Sequence, residues 1–206
     1  MTHPAPGHLR RMRTRLALIA LLLPATVGAQ AFVRIGAGVT GSTAFLKDFL
    51  VEPVAARQSF APTALAVIGW QMTNGFRLGV EARYAVGSWK VEDREFTDDL
   101  GSLKTLGIAA FADGPIAGSL RWEAVAGVLR YQPESETGPF GSGAPSPWLV
   151  GGGVSWSRPL NGALTVVVTA RYDYHGFNTK RLDAEGYGSR QAVHRAGLTL
   201  AVERGF

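Results

Sequence analysis

The stretch Phe76-Arg77-Leu78-Gly79-Val80-Glu81-Ala82-Arg83-Tyr84-Ala85-Val86-Gly87 decides how the rest of the chain is read. Phe76, Leu78, Val80, Ala82, Tyr84 and Val86 fall at every second position, with Arg77, Gly79, Glu81, Arg83, Ala85 and Gly87 between them. Successive side chains of a β-strand point to opposite faces, so this segment is a strand with one apolar face and one face of ions and small residues. The pattern recurs in Trp148 to Ser157, where Trp148, Val150, Gly152, Val154 and Trp156 alternate with Leu149, Gly151, Gly153, Ser155 and Ser157. It recurs again in Leu164 to His175, where Leu164, Val166, Val168, Ala170, Tyr172 and Tyr174 oppose Thr165, Val167, Thr169, Arg171, Asp173 and His175.

Working outward, alternation predicts eight strands, at about 31–42, 62–73, 75–88, 101–112, 118–131, 146–157, 163–175 and 192–206. Each is long enough to cross hydrocarbon, for which a tilted strand needs ~9–11 residues. Two are less regular: the second places Leu65 and Val67 on the otherwise polar face, and the fourth alternates weakly. Thr73-Asn74-Gly75, Asp113-Gly114-Pro115 and Pro159-Leu160-Asn161-Gly162 read as tight turns. Between them lie four long connections, Thr43 to Ala61, Trp89 to Leu100, Gln132 to Pro145 and Gly176 to Gln191. Short and long connections alternate throughout, as in outer-membrane barrels with brief periplasmic turns and longer outer loops. The predicted fold is all-β, an eight-stranded antiparallel up-and-down transmembrane β-barrel with both termini on the periplasmic side.

A soluble eight-stranded barrel also alternates, but it packs apolar residues inward and turns its ions to water. Here the aromatics sit on the apolar face near strand ends. Trp70, Phe76, Trp122, Trp156 and Phe206 are expected to face outward near the periplasmic end, and Tyr84, Trp148, Tyr172 and Tyr174 near the other, forming two aromatic girdles. The opposite face carries Arg34, Arg77, Glu81, Arg83, Arg121, Glu123, Arg171, Asp173, Arg195 and Glu203, an expected ionic network in the lumen. Eight strands enclose an interior just wide enough for side chains, so a filled lumen is expected in preference to an open channel.

The N-terminal region has a different character. Arg10, Arg11, Arg13 and Arg15 precede the apolar run Leu16 to Leu23, which is followed by Pro24 and by the small residues around Ala29. This reads as a secretory signal peptide spanning 1–29, followed by a barrel domain spanning 30–206. The apolar run is far shorter than the ~20 residues of a spanning helix. Removing residues 1–29 takes four Arg and no acids, so the formal charge of +5 falls to +1 and gives no support for nucleic-acid binding. The chain has no cysteine, so an exported domain needs another device than disulfides, and closure of a sheet in lipid supplies one.

The signal peptide, the eight alternating segments and the final strand, Leu198-Thr199-Leu200-Ala201-Val202-Glu203-Arg204-Gly205-Phe206, resemble the small outer-membrane β-barrel families of Gram-negative bacteria, of the OmpA-transmembrane or OmpX kind. The resemblance covers the whole mature chain and implies residence in the outer membrane, in contact with its lipids. It also implies that Leu198, Leu200, Val202 and Phe206 form the signal read by the barrel-assembly machinery; Arg204 departs from the usual apolar residue. No peptidoglycan-binding segment follows the last strand, so no wall tether is expected.

Chemistry is sparse in the expected mature chain. Its two histidines, His175 and His194, fall on opposite faces by parity, so neither a metal nor any other cofactor is expected. Gly36-Ala37-Gly38 and Gly151-Gly152-Gly153 lie inside strands with no following helix, which gives no support to a phosphate loop. Arg171-Tyr172-Asp173-Tyr174-His175-Gly176-Phe177-Asn178 resembles the lipid A deacylase stretch, with Phe177 where that family has its serine nucleophile. Activation of a serine would then have to recruit Ser88 or Ser189 from elsewhere. The outer loops are the remaining carriers of function: a polar second loop with Lys90, Glu92, Asp93, Arg94, Glu95, Asp98 and Asp99, a Gly/Pro/Ser-rich third loop, and Phe45, Leu46, Phe49, Leu50 and Val51 in the first. The expected role is non-enzymatic, in envelope structure or surface contact through an unidentified extracellular ligand. The alternatives are a lipid-modifying enzyme of the outer leaflet and a narrow, porin-like pore for small solutes.

Overall fold

The computed structural model describes residues 29–44, 46–48, 54–92, 97–134, 147–178, 184 and 191–206. Nearly all of the expected signal peptide, the middle of the first loop and most of the third and fourth loops lie outside these residues. Ten strands form one sheet: β1 (Gln30–Ser42), β2 (Leu46–Asp48), β3 (Val54–Gln58), β4 (Ala61–Gln71), β5 (Arg77–Glu92), β6 (Thr97–Ala117), β7 (Leu120–Pro133), β8 (Trp148–Asn161), β9 (Leu164–Phe177) and β10 (Gln191–Gly205). All pairings are antiparallel, and β1 pairs with both β10 and β4 while β5 also pairs with β6, which closes the sheet.

The barrel proper has eight strands, because β3 and β4 are two parts of one wall strand. β3 pairs with the outer end of β5 from Ala55 opposite Glu92 to Gln58 opposite Trp89, and β4 takes over from Thr63 opposite Ala85. Ser59 and Phe60 interrupt the strand, and the break is satisfied locally: Ser59 N–H donates to Ser88 O at 2.9 Å and Ser88 N–H donates to Ser59 Oγ at 3.0 Å. The first connection, expected as a loop, therefore contains a short β2–β3 hairpin. The second also shrinks. β5 and β6 continue their ladder outward as far as Glu92 opposite Thr97, with Lys90 opposite Asp99, an opposite-charge pair of the kind that supports an antiparallel ribbon.

At the other end, Asn74 and Gly75 turn the chain as expected. Asn74 Oδ1 accepts from Phe76 N–H at 3.0 Å, and Gly75 takes φ +78°, which favours glycine. The next turn is displaced from its expected place at Asp113–Pro115. The ladder runs on to Ala117 opposite Leu120, and Gly118 at φ +55° turns the chain instead. The register shifts between Pro115 and Ala117, and again between Pro159 and Asn161, so both prolines sit at bulges where a missing N–H breaks no regular ladder bond.

Side chains alternate across the wall. Ile35, Ile68, Val80, Ile108, Val154, Leu198 and Leu200 are exposed on the outside, whereas Arg34, Arg77, Glu81, Arg171 and Asp173 are buried inside. Leu65 and Val67, the exceptions in the sequence pattern, do point inward, where they pack with Phe32, Ala109, Phe111 and Val125. Among the described residues no helix is long and apolar enough to cross a membrane; strands do the crossing.

Candidate functional site

The lumen is layered. At the end that carries the short turns, Arg34 comes from β1, Arg77 from β5, Asp113 from β6, Arg121 and Glu123 from β7, and Glu203 from β10. Asp113 stands at the centre of this cluster. Its Oδ1 accepts from Arg77 Nε at 2.8 Å and from Arg121 Nη2 at 2.6 Å, and its Oδ2 accepts from Arg77 Nη2 at 2.6 Å and Arg34 Nη2 at 3.3 Å. Arg34 also donates to Glu123 Oε1 at 2.6 Å and Glu203 Oε2 at 2.9 Å, and Arg77 Nη1 bonds Glu203 Oε1. Phe111 and Phe32 lie against the Arg34 and Arg77 guanidiniums, 5.3 and 5.1 Å from their ring centroids. Three cations meet three anions with most hydrogen-bonding positions filled, the condition under which buried ions offset their desolvation.

Farther out lies a second ionic group. Arg171 Nη1 donates to both oxygens of Glu81 at 2.7 Å, Arg171 Nε lies 2.8 Å from Asp173 Oδ1, and Arg83 Nε lies 3.3 Å from Glu81 Oε1. Gly151 faces Asp173 so closely that a Cβ there would overlap its Oδ1. Arg195 belongs to the same layer, but among the described residues it bonds neutral oxygens only, those of Thr105 and Gln58 at 3.3–3.4 Å.

Above the ions the lumen turns apolar. Trp89, Leu103, Leu129, Tyr131, Leu149, Phe177 and Val193 form a buried cluster with Val91 against it. Inside it His175, fully buried, shares a 2.6 Å hydrogen bond between Nε2 and Tyr131 Oη. Phe177, at the serine position of the deacylase resemblance, is fully buried in this cap and packs edge-on against Tyr131 at 5.4 Å. Among the described residues no group of three or more His, Asp or Glu converges as a metal site, and His194 lies on the outer wall away from His175.

The outward aromatics fall in two sets. Trp70, Trp156 and Phe206 are exposed near the short-turn end, where half-buried Phe76 and Trp122 pack together at 5.5 Å. Toward the other end, Tyr84, Trp148 and Tyr172 are exposed; Tyr174 packs at a tilt against Trp148 at 6.1 Å and His194 at 5.4 Å, and Tyr172 Oη bonds His194 Nδ1. On the last strand Leu198, Leu200, Val202 and Phe206 are exposed in one outward row, and the Arg204 guanidinium lies 5.2 Å from the Phe206 ring centroid.

No protein-family model and no curated protein matches the sequence. Solved structures do. Neisserial surface protein A is similar over 87% of this chain and 99% of its own, with a TM-score of 0.56 at 12% identity. The outer membrane protein OprG from Pseudomonas aeruginosa is similar over 87% of this chain and 96% of its own, with a TM-score of 0.56 at 11% identity. The chain has the fold of the small outer-membrane β-barrels. A closed antiparallel sheet that is apolar outside and ionic within suits hydrocarbon and not water, and fold and polarity together place the protein in an outer membrane.

Two features of the lumen escape the sequence pattern. Asp113 is hidden because Asp-Gly-Pro reads as a turn; extending the strand's alternation past Phe111 finds it. The outer cap is hidden because its members come from strand ends next to loops, although Leu103, Leu129, Tyr131, Leu149 and Val193 all share parity with inward ions on their strands or on the strands they pair with.

Proposed function

We propose that this protein is a plugged, non-enzymatic barrel that serves the envelope as a structural or surface-contact element through the outer ends of its hairpins. The observation that carries this reading is the doubly closed lumen: an ionic layer around Asp113 near one end and an apolar cap around Trp89 and Phe177 near the other. A hydrated ion crossing it would have to break the first and desolvate at the second, so a pore for small solutes has no support. Catalysis on outer-leaflet lipid is disfavoured by His175, whose imidazole is enclosed by the cap and already engaged by Tyr131.

On this reading residues 1–29 direct export, the row Leu198, Leu200, Val202 and Phe206 is read by the barrel-assembly machinery, and outer-membrane lipids are the solvent of both girdles. Loops on a rigid scaffold supply any contact with an extracellular ligand. Planar-bilayer recording of the folded protein, with an assay of fatty-acid release from lipopolysaccharide alongside, tests the proposal. Neither conductance steps nor release is expected; regular steps would establish a pore, and release lost in His175→Ala would establish an enzyme.

A further inference from the structure

We propose that the barrel binds one small monatomic anion, of the chloride class, inside its lumen beside Arg195. The other lumen guanidiniums, those of Arg34, Arg77, Arg83, Arg121 and Arg171, each lie within ion-pair distance of at least one carboxylate. Arg195 does not. It is 6% exposed, and among the described residues it bonds only Thr105 Oγ1 and Gln58 Oε1, at the long end of hydrogen-bond distance. Its cross-strand neighbour is Asp173, but that carboxylate turns to Arg171 at 2.8 Å. Among the described residues six guanidiniums thus share the lumen with the carboxylates of Glu81, Asp113, Glu123, Asp173 and Glu203, leaving one cation in excess at Arg195.

The space for a counter-ion is beside it. A cavity of about 20 Å³ is lined by Arg195, Arg83, Thr40, Thr105, Leu129 and Leu149, with Arg171, Glu81 and Asp173 completing its wall. That volume is enough for a particle of about the size of a water molecule and so suits a single monatomic anion. The two carboxylates do not forbid an anion. Both oxygens of Glu81 accept from Arg171, Asp173 is held by Arg171 with Arg83 at 3.9 Å, and the four groups are together neutral. Arg83 Nε, close to Glu81 without hydrogen-bond geometry, adds a buried donor with no acceptor on the same cavity. A buried charge is costly unless paired, and an anion here would neutralise Arg195 as well as accept its protons, which a water cannot do.

Because the cavity lies between the ionic layer and the apolar cap, the anion is trapped as the barrel closes. The test therefore exchanges it by refolding. The mature chain is refolded from urea into detergent in sodium bromide or in sodium gluconate at equal ionic strength, and bromide-refolded crystals are measured at the bromine absorption edge. An anomalous peak within hydrogen-bond distance of the Arg195 guanidinium is expected, with an unfolding midpoint roughly 5–10 °C higher in bromide at a hundredfold excess over Kd. Arg195→Gln should remove the bromide dependence. Density in the cavity without anomalous signal, or no density, would identify a water or a void and overturn the proposal. Full bromide dependence in Arg195→Gln would overturn it equally; should that variant not fold, the anomalous map of the unsubstituted protein decides alone.

Discussion

Replacing Asp113 with Asn removes one negative charge and almost no volume from the most densely bonded point of the lumen. Asp113 is fully buried, and its two oxygens receive Arg77, Arg121 and Arg34. The amide keeps one acceptor but turns two N–H donors toward guanidiniums, so at least one bidentate arrangement is lost. Glu123 and Glu203 are then left to neutralise three arginines. Removing one partner of a buried ion pair costs about 3–5 kcal/mol, chiefly through the uncompensated charge left behind. With a urea dependence of about 2 kcal/mol per molar, the unfolding midpoint should fall by roughly 1.5–2.5 M. The measurement is equilibrium urea unfolding of the folded barrel in lipid vesicles, read by tryptophan fluorescence. Adding Arg121→Gln to Asp113→Asn restores neutrality at the least enclosed arginine of the cluster, and the double variant should be more stable than Asp113→Asn alone. A loss below about 1 kcal/mol in the single variant, or a double variant weaker than both singles, would refute the view that charge balance holds this layer together.

Four further outcomes follow from the same layering. Val80→Arg, on the exposed wall between the inner Phe76 and the outer Tyr84, should cost about 2–4 kcal/mol in the same vesicle assay, as a cation does at the bilayer midplane. Tyr131→Phe deprives His175 Nε2 of its partner while Nδ1 has no hydrogen bond among the described residues, and should cost about 1–3 kcal/mol with the cap otherwise intact. Gly151→Val should displace Asp173 from Arg171, lowering the fraction folded after refolding as judged by heat-modifiable gel mobility. Trp89→Ala together with Phe177→Ala should open the outer cap, yet conductance should stay absent because the ionic layer around Asp113 still blocks the lumen.

The fold was legible because parity is a strong signal in a wall with lipid on one side and packed ions on the other. A one-residue slip would put Arg77, Glu81 and Arg83 into hydrocarbon, so the sequence from 76 to 87 admits a single register. Strand ends were less legible, for two different reasons. Outside the hydrocarbon the ladder between β5 and β6 continues on cross-strand pairs such as Lys90 and Asp99, where apolar alternation has stopped. At the opposite rim Pro115 and Pro159 look like terminators, but bulges absorb them. Asp113 was lost with the first of these prolines. The apolar cap was lost because polar and apolar inward residues share one parity, and only the three-dimensional stagger of the strands gathers Trp89, Tyr131 and Phe177 at one height.

The outward continuation of β5 and β6 fixes how far the protein reaches from the cell. β6 has 21 residues; at ~3.4 Å per residue and a tilt of ~40° it rises roughly 55 Å, about twice the ~25 Å apolar band of such barrels. Much of the surplus stands on the outer side as a turret braced by β3. As far as Glu92 opposite Thr97 it is held at a set elevation by backbone hydrogen bonds, so a stiff post stands there, and substitutions along its upper rungs can change what it meets while leaving its foundation in the bilayer untouched.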